Sequence, residues 1–230
     1  LAKQEANTLQ EDVTFAYMVT IQQFTFNPFY ENTYVLSDET GACVIIDPGC
    51  HVADEEQELE AYIVKNNLRP EHLLLTHGHV DHVFGNHFVT QSWGLGITVH
   101  ALDIPTLQAF PQVCAMYGFH GYVQDAPTAL LQEGTPVKFG NTELEVFFTP
   151  GHSPGSVCFY HSGQGFVIGG DVLFEGSIGR TDLPGGNFDV LAQSIRTKLY
   201  VLPDTTTIHP GHGPATTVGK EKRSNPFVMG

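Results

Sequence analysis

One heptapeptide, Thr76-His77-Gly78-His79-Val80-Asp81-His82, constrains this chain more than any other stretch. It sets three imidazoles and a carboxylate directly after the apolar run Leu73-Leu74-Leu75. Packing gives no reason to crowd ionisable groups at the end of a buried strand. Metal coordination does, because imidazole nitrogens and carboxylate oxygens are ligands that zinc and other first-row divalent ions accept. If the backbone stays extended past Leu75, alternation places His77 and His79 on one side. A short helix starting at Val80 would turn Asp81 and His82 onto another bearing. The segment can then offer two ligands to one metal and two to its neighbour.

Three further ligand-like positions follow. His152 lies in Thr149-Pro150-Gly151-His152-Ser153-Pro154-Gly155-Ser156, Asp171 follows Gly169-Gly170, and His212 lies in His209-Pro210-Gly211-His212-Gly213-Pro214. Each sits where an apolar run stops and small residues permit tight turns. A lone Asp171 would read as a turn residue; four strand ends repeating one pattern read as a single site. Asp47, before Pro48-Gly49, reads as a tight turn, or as a group holding a ligand imidazole by its other nitrogen. His51, His87, His100, His161 and His209 lack comparable context.

Composition narrows the partners. The 230 residues are 41% hydrophobic and 15% charged, with a net charge of −15. That balance suits a globular enzyme and argues against a nucleic-acid binder, whose phosphate contacts need a basic face. It also argues against docking on anionic lipid, and no run approaches the ~18 apolar residues of a membrane span. Cys43, Cys50, Cys114 and Cys158 form no C-x-x-C pair. They suggest no disulfide framework, so a reducing, cytoplasmic location is expected. Residues 1–17 read as a polar tail lacking the shape of a signal peptide, with Met18 as a possible start. Residues 18–230 are expected to form one domain.

Strand patterning dominates the chain. Strands are predicted over residues 19–24, 33–37, 42–46, 72–76, 97–100, 157–160, 166–168 and 206–208, with a hairpin over 136–139 and 143–149 around Gly140-Asn141. Helices are predicted over 54–66, capped by Asp54, over 80–93 as one piece or two, and over 189–199. Residues 101–131, interrupted by proline and glycine and rich in aromatics, read as a broken helical excursion forming a lid. Helices should cover the outer faces of two packed sheets.

The motifs T-H-x-H-x-D-H, G-H-S-P-G-S, G-D and P-G-H-G-P together resemble the metallo-β-lactamase superfamily. The run from Gly176 to Asn187 and the ending through Asn225-Pro226-Phe227 are similar to the short bacterial glyoxalase II-like hydrolases. The resemblance implies an α+β fold, a four-layer αββα sandwich with its site at the sheet edges. It implies a first metal position with His77, His79 and His152, a second with Asp81, His82 and His212, and Asp171 bridging both. Zinc is the expected metal, at one or two sites, with iron or manganese compatible. Aspartate at position 171 departs from the β-lactamases that bind zinc through a thiolate. The implied activity is hydrolysis of a small-molecule thioester such as lactoylglutathione, with Asp81 and Asp171 as catalytic groups. Arg180, Tyr117 and His120 are the candidate substrate contacts. The short run after His212 leads us to expect no C-terminal helical extension of the kind with which full-length glyoxalase II enzymes contact glutathione. The alternative is a persulfide dioxygenase with one iron on His77, His152 and Asp171. The sequence is silent on oligomeric state.

Overall fold

In the computed structural model, residues 18–230 are described. The expected tail, 1–17, lies outside them. The first half runs β1 (Thr20–Phe26), β2 (Glu31–Ser37), β3 (Ala42–Ile46), α1 (Ala53–Lys65), β4 (Arg69–Leu74), α2 (Val80–Val83), α3 (Asn86–Trp93) and β5 (Ile97–His100). A 3-10 turn over Ala101–Asp103, α4 (Ile104–Gln108), α5 (Phe110–Met116) and β6 (Pro127–Leu131) complete it. The second half runs β7 (Val137–Phe139), β8 (Thr142–Phe148), β9 (Val157–His161), β10 (Phe166–Gly170) and the small hairpin β11 (Leu173–Phe174) and β12 (Ser177–Ile178). It ends with α6 (Phe188–Ser194), β13 (Thr207–Pro210), β14 (Thr216–Thr217) and α7 (Val218–Ser224).

Alternation along the strands builds four layers from these pieces. The sheets have the orders β1-β2-β3-β4-β5-β6 and β14-β13-β10-β9-β8-β7. Tyr34, Leu36, Val44, Ile46 and Leu74 of the first meet Leu144, Val146, Phe159, Phe166 and Ile168 of the second in a central core. Their immediate neighbours point the other way. Val35, Cys43, Ile45 and Leu73 pack under helical Leu59, Ile63, Val89, Leu107 and Phe110. Cys158, Tyr160, Val167 and Ile208 pack under Leu191, Ile195, Leu199 and Val218. Each fully buried large side chain contributes roughly 1.5–3 kcal/mol through burial. All four cysteines are free and buried. Among the described residues no helix is long and apolar enough to cross a membrane.

Several local expectations are corrected. Asp54 does not cap α1: the N-cap is Val52, and no side chain bonds the helix start. The excursion from residue 101 ends in a strand, β6, parallel to β5. Residues 189–199 do not form one α-helix, since α6 gives way to a π-helical turn over Ile195–Leu199. A last helix, α7, follows Thr217, whose hydroxyl accepts from the Lys220 N–H at 3.3 Å.

Candidate metal centre

The site lies along one edge where both sheets end. β4 stops at Leu74, and the next residues leave the sheet. Thr76 stays anchored: its N–H and hydroxyl donate to the two oxygens of Asp47, at 2.7 and 2.5 Å. His79 is the extended N-cap of α2, so His77 and His79 precede the helix and Asp81 and His82 lie within it. This is the change of bearing expected from the heptapeptide. The second sheet delivers His152 after β8, Asp171 immediately after β10 and His212 just after β13.

The donors fall into two groups. His77, His79 and His152 each present a ligand atom within 4.8 Å of the others, and so do Asp81, His82 and His212. His79 Nδ1 lies 2.8 Å from His152 Nε2, which lies 3.2 Å from His77 Nε2. Asp171 stands between the groups. Its Oδ2 is 3.5 Å from His152 Nε2 and 3.6 Å from His212 Nε2, and its Oδ1 is 3.5 Å from His82 Nε2.

Outer contacts fix which imidazole nitrogen faces inward, because acceptor-only partners require an N–H. His82 Nδ1 donates to Asp47 Oδ2 at 3.1 Å, and His152 Nδ1 to the Arg180 carbonyl at 2.8 Å. His212 Nδ1 faces the carbonyls of Phe29 and Tyr30, at 3.1 and 3.2 Å. His77 Nδ1 donates to Thr76 Oγ1 at 3.0 Å, because that hydroxyl gives its own proton to Asp47. Asp47 therefore holds an imidazole, as one reading of the sequence allowed. It does so from a left-handed backbone, φ 50°, a conformation that costs free energy in a residue other than glycine.

A divalent cation fits this arrangement. His77 Nε2 and His152 Nε2 confront each other as two lone pairs. His82 Nε2 and Asp171 Oδ1 are buried with no hydrogen-bond partner. Such orphaned atoms are costly unless something binds them. The electrostatics agree. Burial, then the neighbouring His82 and His79, hold His77 well below the usual imidazole range, so it stays neutral. Burial and His152 push His79 down to about 4. Burial also lowers His82, but Asp81 and Asp171 more than reverse this, and its basicity rises. Asp171 is held below the ordinary carboxylate range, burial being outweighed by His82, His152 and His212. The set is mixed imidazole and carboxylate, with no thiolate, which suits zinc, iron or manganese.

Above the donors opens a cavity of 520 Å³, walled by Phe29, Phe110, Val113, Tyr117, Phe174 and Leu183, with Arg180 also in its lining. Tyr117 packs edge-on against Phe29, ring centroids 5.4 Å apart. Arg180 forms a two-pronged ion pair with Asp182, both bonds 2.7 Å. His120 is exposed and absent from the lining, so the structure does not bring it to the cavity. Sequence reading missed the supports. Asn32 Nδ2 donates to the carbonyls of Pro210 and Gly213 at 3.0 and 2.9 Å, bracketing His212. Asn27 Nδ2 donates to the carbonyls of Gly49 and Asp81 at 3.0 and 2.9 Å. Buried Glu31 lies 3.8 Å from His82. The one signal for these was the turn-rich stretch Asn27 to Asn32.

With its αββα layers and its His/Asp cluster at the sheet edges, this chain belongs to the metallo-beta-lactamase superfamily, whose family model matches residues 26–212. It is a metal-dependent hydrolase of that superfamily. Among its relatives, a probable metallo-hydrolase of Bacillus subtilis, YqgX, is 40% identical over 206 residues, covering 88% of this chain and 94% of the relative. The hydroxyacylglutathione hydrolase GloC of Haemophilus influenzae is 36% identical over 216 residues, covering 91% and 98%. Among solved structures, the B3 metallo-beta-lactamase BLEG-1 superposes with a TM-score of 0.84 at 35% identity, covering 92% of this chain and 100% of that one. The protein TTHA1623, solved in a di-iron-bound form, gives 0.81 at 38% identity, covering 90% and 100%.

Proposed function

We propose that this chain hydrolyses thioesters, with a hydroxyacyl thioester such as lactoylglutathione as substrate, and that residues 18–230 act as one hydrolase domain. His77, His79 and His152 would hold one divalent ion, Asp81, His82 and His212 a second, with Asp171 shared and zinc the expected metal. The observation that carries this reading is a cluster of seven donors, of which His79, Asp81, His152, Asp171 and His212 line an apolar-walled cavity. Bound there, the ions would supply an activated water near neutral pH and would stabilise negative charge on the carbonyl oxygen.

The chain's own groups do the rest. Asp81 is kept ionised by His82 and His212 despite its burial, so it can accept a hydrogen bond from the attacking water and orient it. The thiol leaving group, with a pKa of roughly 8.5, departs as thiolate and needs no general acid. Phe29, Val113 and Tyr117 shield the acyl side from bulk water. Arg180 stands at the cavity to receive an anionic end of the substrate once Asp182 releases it. GloC's description as a hydroxyacylglutathione hydrolase supports the choice of acyl and thiol.

Elemental analysis of purified protein, with rates on a thioester panel, tests this. Two metals per chain and turnover of lactoylglutathione are expected. One iron per chain, with oxygen uptake and sulfite release from glutathione persulfide, would overturn it in favour of a dioxygenase.

A further inference from the structure

The largest departure from sequence expectation at this site is Asp103. It lies in the 3-10 turn that opens the α4–α5 excursion, contributes no inward-facing donor and is fully buried. Its carboxylate accepts three hydrogen bonds. Oδ2 takes the Gly78 N–H at 2.5 Å, and Oδ1 takes the Ser153 hydroxyl and the Gly155 N–H, the latter at 2.9 Å. Gly78 is the residue between His77 and His79. Ser153 and Gly155 directly follow His152. One side chain therefore grips both loops that deliver the first triad, one loop from each sheet.

The close approach is built into the backbone. A Cβ on Gly78 would lie 2.9 Å from the Leu107 nitrogen and 3.2 Å from the Asp103 carbonyl oxygen. A Cβ on Gly155 would lie 2.5 Å from the Asp103 nitrogen and 2.7 Å from its Cβ. Real side chains do not tolerate such contacts with backbone, so both loops need glycine where Asp103 reaches them. The second triad has supports of its own, Asn32 around His212 and Asn27 on Asp81, while Asp47 serves both, behind His82 and through Thr76 behind His77. Asp103 touches none of these.

We infer that Asp103 is a positioning residue for the first metal position alone, clamping the His77–His79 loop to the His152 loop and tying both to the helices that wall the substrate cavity. A buried carboxylate is suited to this role. It accepts from several donors at once, and charge-assisted hydrogen bonds are about twice as strong as neutral ones. An amide of the same shape offers only one oxygen and turns an N–H toward a donor. The inference rests on the metal-centre part of the proposed function. Its test uses cobalt(II) alone, without thioester, so a failed thioesterase assignment leaves it intact and testable.

The test compares wild type, Asp103→Asn and Ser153→Ala, each titrated with cobalt(II) while the visible spectrum and the hyperfine-shifted imidazole N–H proton signals are recorded. Asp103→Asn should weaken one of the two cobalt sites by tenfold or more. It should shift the His77 and His152 N–H signals and leave those of His82 and His212 in place. Ser153→Ala, which removes one of the three donors, should weaken the same site by roughly two- to fivefold. Equal weakening at both sites, or a folded Asp103→Asn variant with unchanged affinity and unchanged signals, would overturn the inference. If Asp103→Asn fails to fold, Ser153→Ala decides by the same signals.

Discussion

His77, His82, His152 and His212 each tie one ring nitrogen to a protein acceptor, which leaves the other lone pair facing the centre. Asp47 is the acceptor with most at stake, since it also takes both donors of Thr76. Asp47→Asn is expected to lower metal affinity by 10- to 100-fold, the usual cost of losing such a partner, measured by competition with a chromogenic chelator. Asp171→Ala should abolish both metal retention and thioesterase activity; full activity in that variant would refute the assignment. Protonation separates the two triads. An imidazolium must shed its proton before it can ligate. Burial and neighbouring imidazoles hold His77 and His79 below the usual imidazole range, so both shed their protons early as the pH rises. His82 and His212 are raised, because carboxylate contacts outweigh burial, and so they remain protonated to higher pH. Cobalt affinity should therefore rise with pH more steeply at the second position than at the first; calorimetry in buffers of different ionisation heat would count the protons released. That these seven side chains would cluster was legible in the sequence, because each interrupts an apolar pattern with a chemically costly group. Asp103 and Asn32 were not, because their meaning lies in hydrogen bonds to segments far along the chain.

At the scale of elements, strands that alternate or lie fully buried were legible, and their ends located the site. The excursion from residue 101 was less so. Its proline and aromatic content announced broken helices, but β6 has no alternating pattern of its own. Thr128, Ala129 and Leu130 are exposed at a sheet edge, and pairing to β5 alone makes the segment a strand. The π-helical turn after α6 was equally hidden, since Leu191, Ile195 and Leu199 suit an α-helical stripe. The start of α1 invites repair. Val52→Ser would supply the missing side-chain cap, with an expected gain of about 1 kcal/mol and a rise in Tm of roughly 2–4 °C, read by calorimetry. At the cavity, Tyr117→Ala removes one partner of the edge-on pair with Phe29. It should raise KM several-fold with little change in kcat, as expected for a wall that binds substrate and transition state alike.

The whole molecule is two sheets pressed together, with metal donors on the edge of each. Removing the ions should therefore loosen the packing between halves as well as stop catalysis. An ion that binds only the folded state at a hundred times its Kd stabilises it by about 2.7 kcal/mol, so chelation should lower the calorimetric Tm by several degrees, and added metal should restore it. The layered plan was legible in the sequence because strands outnumbered helices and came in meanders. How the sheets pair, with β10 parallel to β13 and antiparallel to β9, was not, because that order depends on long-range contacts. The division of donors between sheets has a further consequence, for the birth of the protein. A polypeptide leaves the ribosome amino end first. The heptapeptide emerges well before His152, and His152 before Asp171 and His212. Until the second sheet has been translated and has closed on the first, no triad is complete. Cofactor capture is thus a late event for the nascent chain, and an ion bound there certifies that both halves have met.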